Sequence, residues 1–282
     1  MVPEHAHSLF SALRRINFHR KGRDPHHNLT DPLEIVAVAI GLKPAFLGGQ
    51  KPSDQELLDE VAKVTSELGL HARKTSGVGP MAELLSLSPP PVDRAFLEYF
   101  ITEDSYHLRS EFPVCWIFAD PTIAGQIDEC ERGTRSLSEV LGYPQCCVEN
   151  LLRLQGRKYE LKLDAYRREY MAKSVEELID LENKGVGPSR AVKARIESVN
   201  TEIAKQVGES IVKFPFIHFT ACPPCLSASG SPADLIHSLM KDLAFSLDQK
   251  FAREFEEYGS YYREIHEDEF GPVRYSYPKL AT

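Results

Sequence analysis

The chain has no long apolar run. Its longest, Ile35 to Leu42, falls far short of the roughly 20 residues that a membrane-spanning helix needs. Arg14, Arg15, Arg20 and Lys21 lie near the start, but no apolar stretch and cleavage site follow them. A secretory signal is therefore not expected, and neither is a membrane partner. There is no internal repeat and no low-complexity tract. No Gly-x-Ser-x-Gly, Walker or His-Glu-x-x-His pattern occurs, nor the Cys-x3-Cys-x2-Cys of radical enzymes. These absences remove the commonest hydrolase, nucleotide-binding, zinc-protease and radical signatures. Basic charge is also short. Lys and Arg number 33 against 41 Asp and Glu, a formal charge of −8. Nucleic acid as the main partner is not expected, because phosphate binding calls for a basic surface.

Cysteines are few, and their placement carries the chemistry. Four of the six fall in two clusters, Cys146-Cys147 and Cys222-Pro223-Pro224-Cys225. The expected compartment is cytoplasmic, where thiols stay reduced. Clustered cysteines there read as metal or redox groups rather than disulfides. Two pairs from distant parts of the chain make a four-sulfur site suited to an iron–sulfur cluster or zinc, with the cluster placed slightly ahead. His218 lies four positions before Cys222 and is a candidate metal ligand, so that His-x3-Cys-x2-Cys can supply up to three. It reads equally well as a histidine bonded to backbone in an aromatic strand.

Pro144 is placed to be the first residue of a helix. Cys146 and Cys147 then lie in its first turn, where the helix dipole favours thiolate. Adjacent helical residues point about 100° apart. One thiol can therefore ligate while the other packs on Leu151 and Leu154, acts as a resolving thiol, or serves as a nucleophile. Both can equally be core cysteines. The two prolines of Cys222–Cys225 fit a metal-binding loop better than the strand-then-helix setting of a redox Cys-x2-Cys. Cys115 reads as core. Cys130, beside Glu129, Glu131 and Arg132, reads as more exposed and as a further candidate sulfur. Arg132 and Arg135 suit surface ion pairs or an anion.

At 282 residues the chain can bury a full core. The expected fold class is α+β, mainly helical, with a small central sheet and a charged helical insertion. A single domain 1–282 is expected, comprising an N-terminal helical region (1–88), a core with the cysteine clusters (92–282) and an insertion at about 157–212. Val114 to Phe118 reads as a buried strand and Phe214 to Phe219 as a second extended segment. Ser53/Glu56, Ser136/Glu139 and Ser174/Glu177 are capping boxes, and Asp120-Pro121 reads as a helix start. Pro89-Pro90-Pro91 is a stiff break. Tyr159, Leu163, Tyr166 and Tyr170, then Val192, Ile196, Val199, Ile203 and Val207, follow helical spacing on either side of Gly185, Gly187 and Pro188. Folded back as an antiparallel pair, they bring the cysteine clusters together. Leu235, Leu239, Leu243 and Leu247 predict one face of a last helix that Phe251 and Phe255 continue. The tail from Tyr258 reads as an irregular arm.

The run Leu141-Gly142-Tyr143-Pro144-Gln145-Cys146-Cys147-Val148 resembles the Leu-Gly-Tyr-Pro-x-Cys-Cys-Val of domain-of-unknown-function family 483. So do Phe214-Pro215-Phe216, His218, Cys222–Cys225 and Ser227, over roughly residues 33 to 255. That resemblance implies that the cysteines act together, and it gives no substrate. A looser analogy is to the cysteine-rich domain of heterodisulfide-reductase-type proteins, which hold iron–sulfur clusters. Val148 stands where those have glycine, and the gap to Cys222 is much longer.

Three functional readings follow. The first is a metal centre performing a redox or sulfur-transfer step on a small-molecule substrate. The second is a metal-free thiol enzyme with Cys146 or Cys147 as catalytic nucleophile. The third is a non-enzymatic module with structural zinc. His5, His7, His26, His27 and the run Glu264 to Glu269 read as solvated surface. Gly77-Val78-Gly79-Pro80 is too short and Pro-blocked for a phosphate loop.

Overall fold

The computed structural model describes residues 3–16, 25–48, 55–76, 84, 90–104, 113–132, 134–217 and 219–267. They form a mainly helical α+β fold, with helices around one three-stranded antiparallel sheet. The apolar run ending at Phe118 becomes the central strand β3 (Pro113–Phe118), between β1 (Ala45–Gly48) and β2 (His71–Ser76). Ala45 and His71 both pair with Phe118, which fixes the two registers.

Side chains alternate across a strand, and both faces of β3 are covered. Cys115 and Ile117 face one apolar cluster. It is built from α1 (Glu4–Arg15), α2 (Pro25–Ala39) and α3 (Gln55–Glu67), with two C-terminal helices, α11 (Pro232–Leu247) and α12 (Gln249–Glu267). Trp116 and Phe118 face the other, made by α5 (Ile123–Glu131) and α6 (Leu137–Leu141). The N-terminal helices thus share a core with the C-terminal ones. Phe10 meets Phe251 edge-on, with centroids 4.8 Å apart.

The antiparallel pair forms as its spacing predicts. α7 (Gln145–Tyr170) runs out, α8 (Val175–Asn183) turns, and α9 (Arg190–Lys213) returns. Asn150 Nδ2 donates to Gln206 Oε1 at 2.7 Å, and Arg157 lies 3.9 Å from Glu202 further along. α7 is continuous through residue 157, so the hairpin springs directly from the cysteine run. Its apolar side packs on α4 (Arg94–Asp104), with Phe100 stacked on Tyr159. Glu182 accepts hydrogen bonds from Tyr99 and Tyr166 and ties α8 to both helices. Pro91 lies against Gly156, where a Cβ would stand 3.0 Å from the proline ring.

Several expectations are corrected. Phe214 to Ile217 is a turn after α9, not a strand. Its aromatic rings are buried against helices, and the apolar pattern reflects that packing. Leu235 and Leu239 are exposed, and α11 buries Ala233, Met240, Leu243 and Ala244 instead. Asp248 is extended and breaks the helix, so Phe251 and Phe255 belong to α12. α12 carries the chain helically through Tyr258 to Glu267. α5 starts at Ile123, and Asp120 Oδ1 accepts from Thr122 N–H at 2.8 Å in the turn before it. Ser136 caps the amide of Ser138, not Glu139, whereas Ser174 accepts from Glu177 N–H as expected. Ser53, Gly77 to Pro80 and Pro89 lie outside the described residues. Among the described residues no helix is long and apolar enough to cross a membrane.

Candidate metal centre

The first pair of thiols is delivered by a tight turn. α6 packs on the outer face of the sheet and ends at Gly142, whose φ of 71° is left-handed. A Cβ there would stand 2.9 Å from Pro44 Cδ, so glycine is needed for conformation and for space. Pro144 caps α7 rather than opening it, and accepts from the amides of Cys147 (3.0 Å) and Val148 (3.2 Å). Cys146 and Cys147 therefore occupy the first turn, as expected.

The second pair sits on a short helix instead of the expected loop. Cys222 is the N-cap of α10 (Pro223–Ser227), with prolines at its first two positions, where no amide is required. A polar relay holds its approach. Gln206 accepts from Asn150, Ser210 Oγ donates to Gln206 O at 2.7 Å, and Ala221 N–H donates to Ser210 Oγ at 2.8 Å. Ser231 Oγ donates to Cys225 O at 3.1 Å and caps α11 through Asp234 N–H. Asn150, Gln206 and Ser210 escaped the sequence reading. The available signal was two polar residues four apart, Gln206 and Ser210, interrupting the buried side of α9.

The four thiols converge. Sγ–Sγ distances are 3.7 Å for Cys146–Cys225 and Cys147–Cys225, 3.8 Å for Cys147–Cys222 and 3.9 Å for Cys146–Cys147. All four sulfurs lie within 4.8 Å of one another. Cys222 N–H also donates to Cys147 Sγ at 3.4 Å. Phe214, Ile217, Ala221 and Ala233 form the apolar wall around them. Cys147, Cys222 and Cys225 are buried, and Cys146 is exposed. Four sulfurs at this spacing can hold a metal ion. Both members of the adjacent pair therefore reach the same point.

The expected lowering of the first-turn thiols is outweighed. Burial, then the Cys225 and Cys222 sulfurs, push Cys146 up to about 11. Burial pushes Cys147 up as well. Burial opposes ionisation of Cys225 too, but the amide of Ala233 and the three neighbouring thiols hold it below its ordinary value.

Cys115 is buried in β3, as expected, with its thiol raised to about 11 by burial. Cys130 is corrected. It is 4% exposed and packs in the cluster behind Trp116, apart from the four-sulfur group, because α5 turns it onto the sheet. Arg135 pairs with Glu129 at 2.7 Å and Glu139 at 3.3 Å, the surface role expected of it. His5 and His7 are exposed on α1. His218, the side chains of His26 and His27, and those of the Glu264–Glu269 run lie outside the described residues.

No family model, no curated protein and no solved structure matches the chain. The resemblance to family 483 stands on its motifs alone.

Proposed function

We propose that Cys146, Cys147, Cys222 and Cys225 hold one tetrahedral ion, zinc, as a structural centre fastening the α7–α9 hairpin to the segment that follows it. One observation carries this reading: four of the six sulfur separations are 3.7–3.9 Å, and all lie within 4.8 Å. Four thiolates bonded to one ion at about 2.3 Å and tetrahedral angles stand about 3.8 Å apart. A polynuclear cluster spreads its thiolates over several irons, which sets their sulfurs farther apart. The spacing therefore supports a single ion over an iron–sulfur cluster. Zinc is the first choice for four thiolates, and mononuclear iron shares the geometry.

With every position taken by protein, such a site has no open place for water or substrate, the mark of a structural centre. That supports the non-enzymatic module over redox or sulfur-transfer chemistry. The metal-free nucleophile draws less support, because its surroundings favour the protonated thiol at Cys146 and Cys147.

The test is purification without oxygen, followed by a visible spectrum and elemental analysis for zinc, iron and sulfide. A colourless protein with one zinc per chain is expected. Iron with labile sulfide would replace this reading with a cluster, and iron without sulfide with a mononuclear iron site. Absence of metal would overturn it and put the thiol-enzyme reading in front.

A further inference from the structure

The four thiols differ in access. Cys147 is 1%, Cys222 2% and Cys225 2% exposed, whereas Cys146 is open to solvent. They differ also in what each can reach. Three of the four short sulfur contacts cross between α7 and α10: Cys146–Cys225, Cys147–Cys225 and Cys147–Cys222. The remaining one joins chain neighbours, Cys146 and Cys147, at 3.9 Å. A disulfide between those two would have to close within one turn of helix, against the ordinary geometry of the bond.

Resting on the proposed ion centre, we propose that Cys146 is an oxidation site at which hydrogen peroxide exchanges the metal staple for a covalent one. Ligation to the ion would hold the Cys146 sulfur as thiolate, and that sulfur attacks the peroxide. An S–O bond forms and the O–O bond breaks, giving sulfenic acid and hydroxide. The Cys225 sulfur, 3.7 Å away, then attacks that sulfur as thiolate. An S–S bond forms, the S–O bond breaks, and a second hydroxide leaves. The two sulfurs supply the two electrons that reduce the peroxide to water once protons are taken up. The ion loses two of its four ligands and departs. A second peroxide joins Cys147 and Cys222, 3.8 Å apart, by the same route.

The pairing decides the outcome. Disulfides within each segment, Cys146–Cys147 and Cys222–Cys225, would leave the hairpin base untied. The crossed pairs keep α7 fastened to α10 after the ion has gone. Oxidation is thus an ion-release event that the fold survives, and the oxidised chain holds its shape without metal.

The experiment treats the zinc-loaded full-length protein with hydrogen peroxide in limiting steps. A chromogenic chelator follows zinc release. Free thiols are alkylated at each step, and disulfides are mapped by mass spectrometry. The expected first product is Cys146–Cys225, formed together with zinc release, and the oxidised protein melts well above the reduced metal-free one. Cys146→Ser is expected to slow release by about tenfold, since the remaining sulfurs are shielded. A first disulfide at Cys146–Cys147 or Cys222–Cys225 overturns the proposal, as does oxidation without zinc release or an oxidised protein no more stable than the reduced apo form. If the purified protein takes up no zinc, the ion centre itself fails. Disulfide mapping on the metal-free chain then separately tests the order of attack, so the two failures are distinguishable. If Cys146→Ser does not fold, the mapping on the unaltered protein still decides.

Discussion

Removing the proposed ion from the four-cysteine centre should destabilise the whole protein by an amount set by loop length. Cys147 and Cys222 are 75 positions apart, and Cys146 and Cys225 are 79 apart. Tying such a segment at its base removes conformational freedom from the unfolded chain. The chain-entropy relation puts that at about 4.5 kcal/mol for a loop of this size. Against a typical total of roughly 5–15 kcal/mol, the loss is a large fraction of stability. For 282 residues unfolding as one unit, it lowers Tm by about 8 °C. The assay compares thermal unfolding before and after a chelator, with zinc content measured on both samples. Trp116 is the sole tryptophan and is fully buried on the sheet, so its emission reports loss of the core. Circular dichroism in the far ultraviolet is the usual helix signal and reports the hairpin. Metal-free protein that melts within about 2 °C of the loaded form, with zinc shown to be gone, would refute the staple. Cys147→Ser should reproduce part of the chelator's effect, because three thiolates hold the ion less tightly than four. Cys115→Ser should leave zinc content unchanged, because Cys115 lies in the sheet core.

Three further outcomes follow from the packing. His237 lies between the rings of Phe214 and Phe216, and burial, then Lys241, lowers it from 6.5 to about 4, against the opposing pull of Asp234 and Glu256. The unfolded chain takes up that proton first, so stability is complete above pH 6.5 and falls as pH drops towards 4, by about 2 kcal/mol once solvent screening is allowed for. Denaturant melts across this range should show a shallower acid loss in His237→Phe, and an identical slope would refute the assignment. Gly142→Ala should cost about 2 kcal/mol by urea unfolding, from its left-handed backbone and the contact with Pro44; no loss would mean that the turn tolerates a side chain. Lys43 is buried with its Nζ 2.8 Å from Glu34 and over the Tyr143 ring. Lys43→Met should cost about 3 kcal/mol by leaving a buried carboxylate without its ammonium partner. Adding Glu34→Gln should restore some of that, and a double variant no better than the single would count against the pair.

The helical content is legible in the sequence because it is periodic and punctuated. Ser174 marks a helix start that the structure places at that residue. The hairpin is legible because its two stripes flank a Gly-Pro break. The misreadings share a cause. Phe214 to Phe219 and the leucines of α11 are assigned from local pattern, but burial depends on what packs alongside. An aromatic run is buried equally well by a turn wedged among helices. Leu235 and Leu239 keep perfect helical spacing on the side of α11 that no described element covers.

The sequence by itself determined the chemistry of the site. Four thiols in two tight groups, each beside proline, limit what can be bound there, because residue type and local turn geometry are properties of short segments. Only the tertiary structure decided that all four sulfurs meet within 4.8 Å of one another, and that Cys146 alone of the four faces solvent. Those facts depend on how α7 and α9 lie against each other, through contacts such as Asn150–Gln206 and the Ser210 relay to Ala221. They span dozens of positions, and no local pattern encodes a distance across that gap.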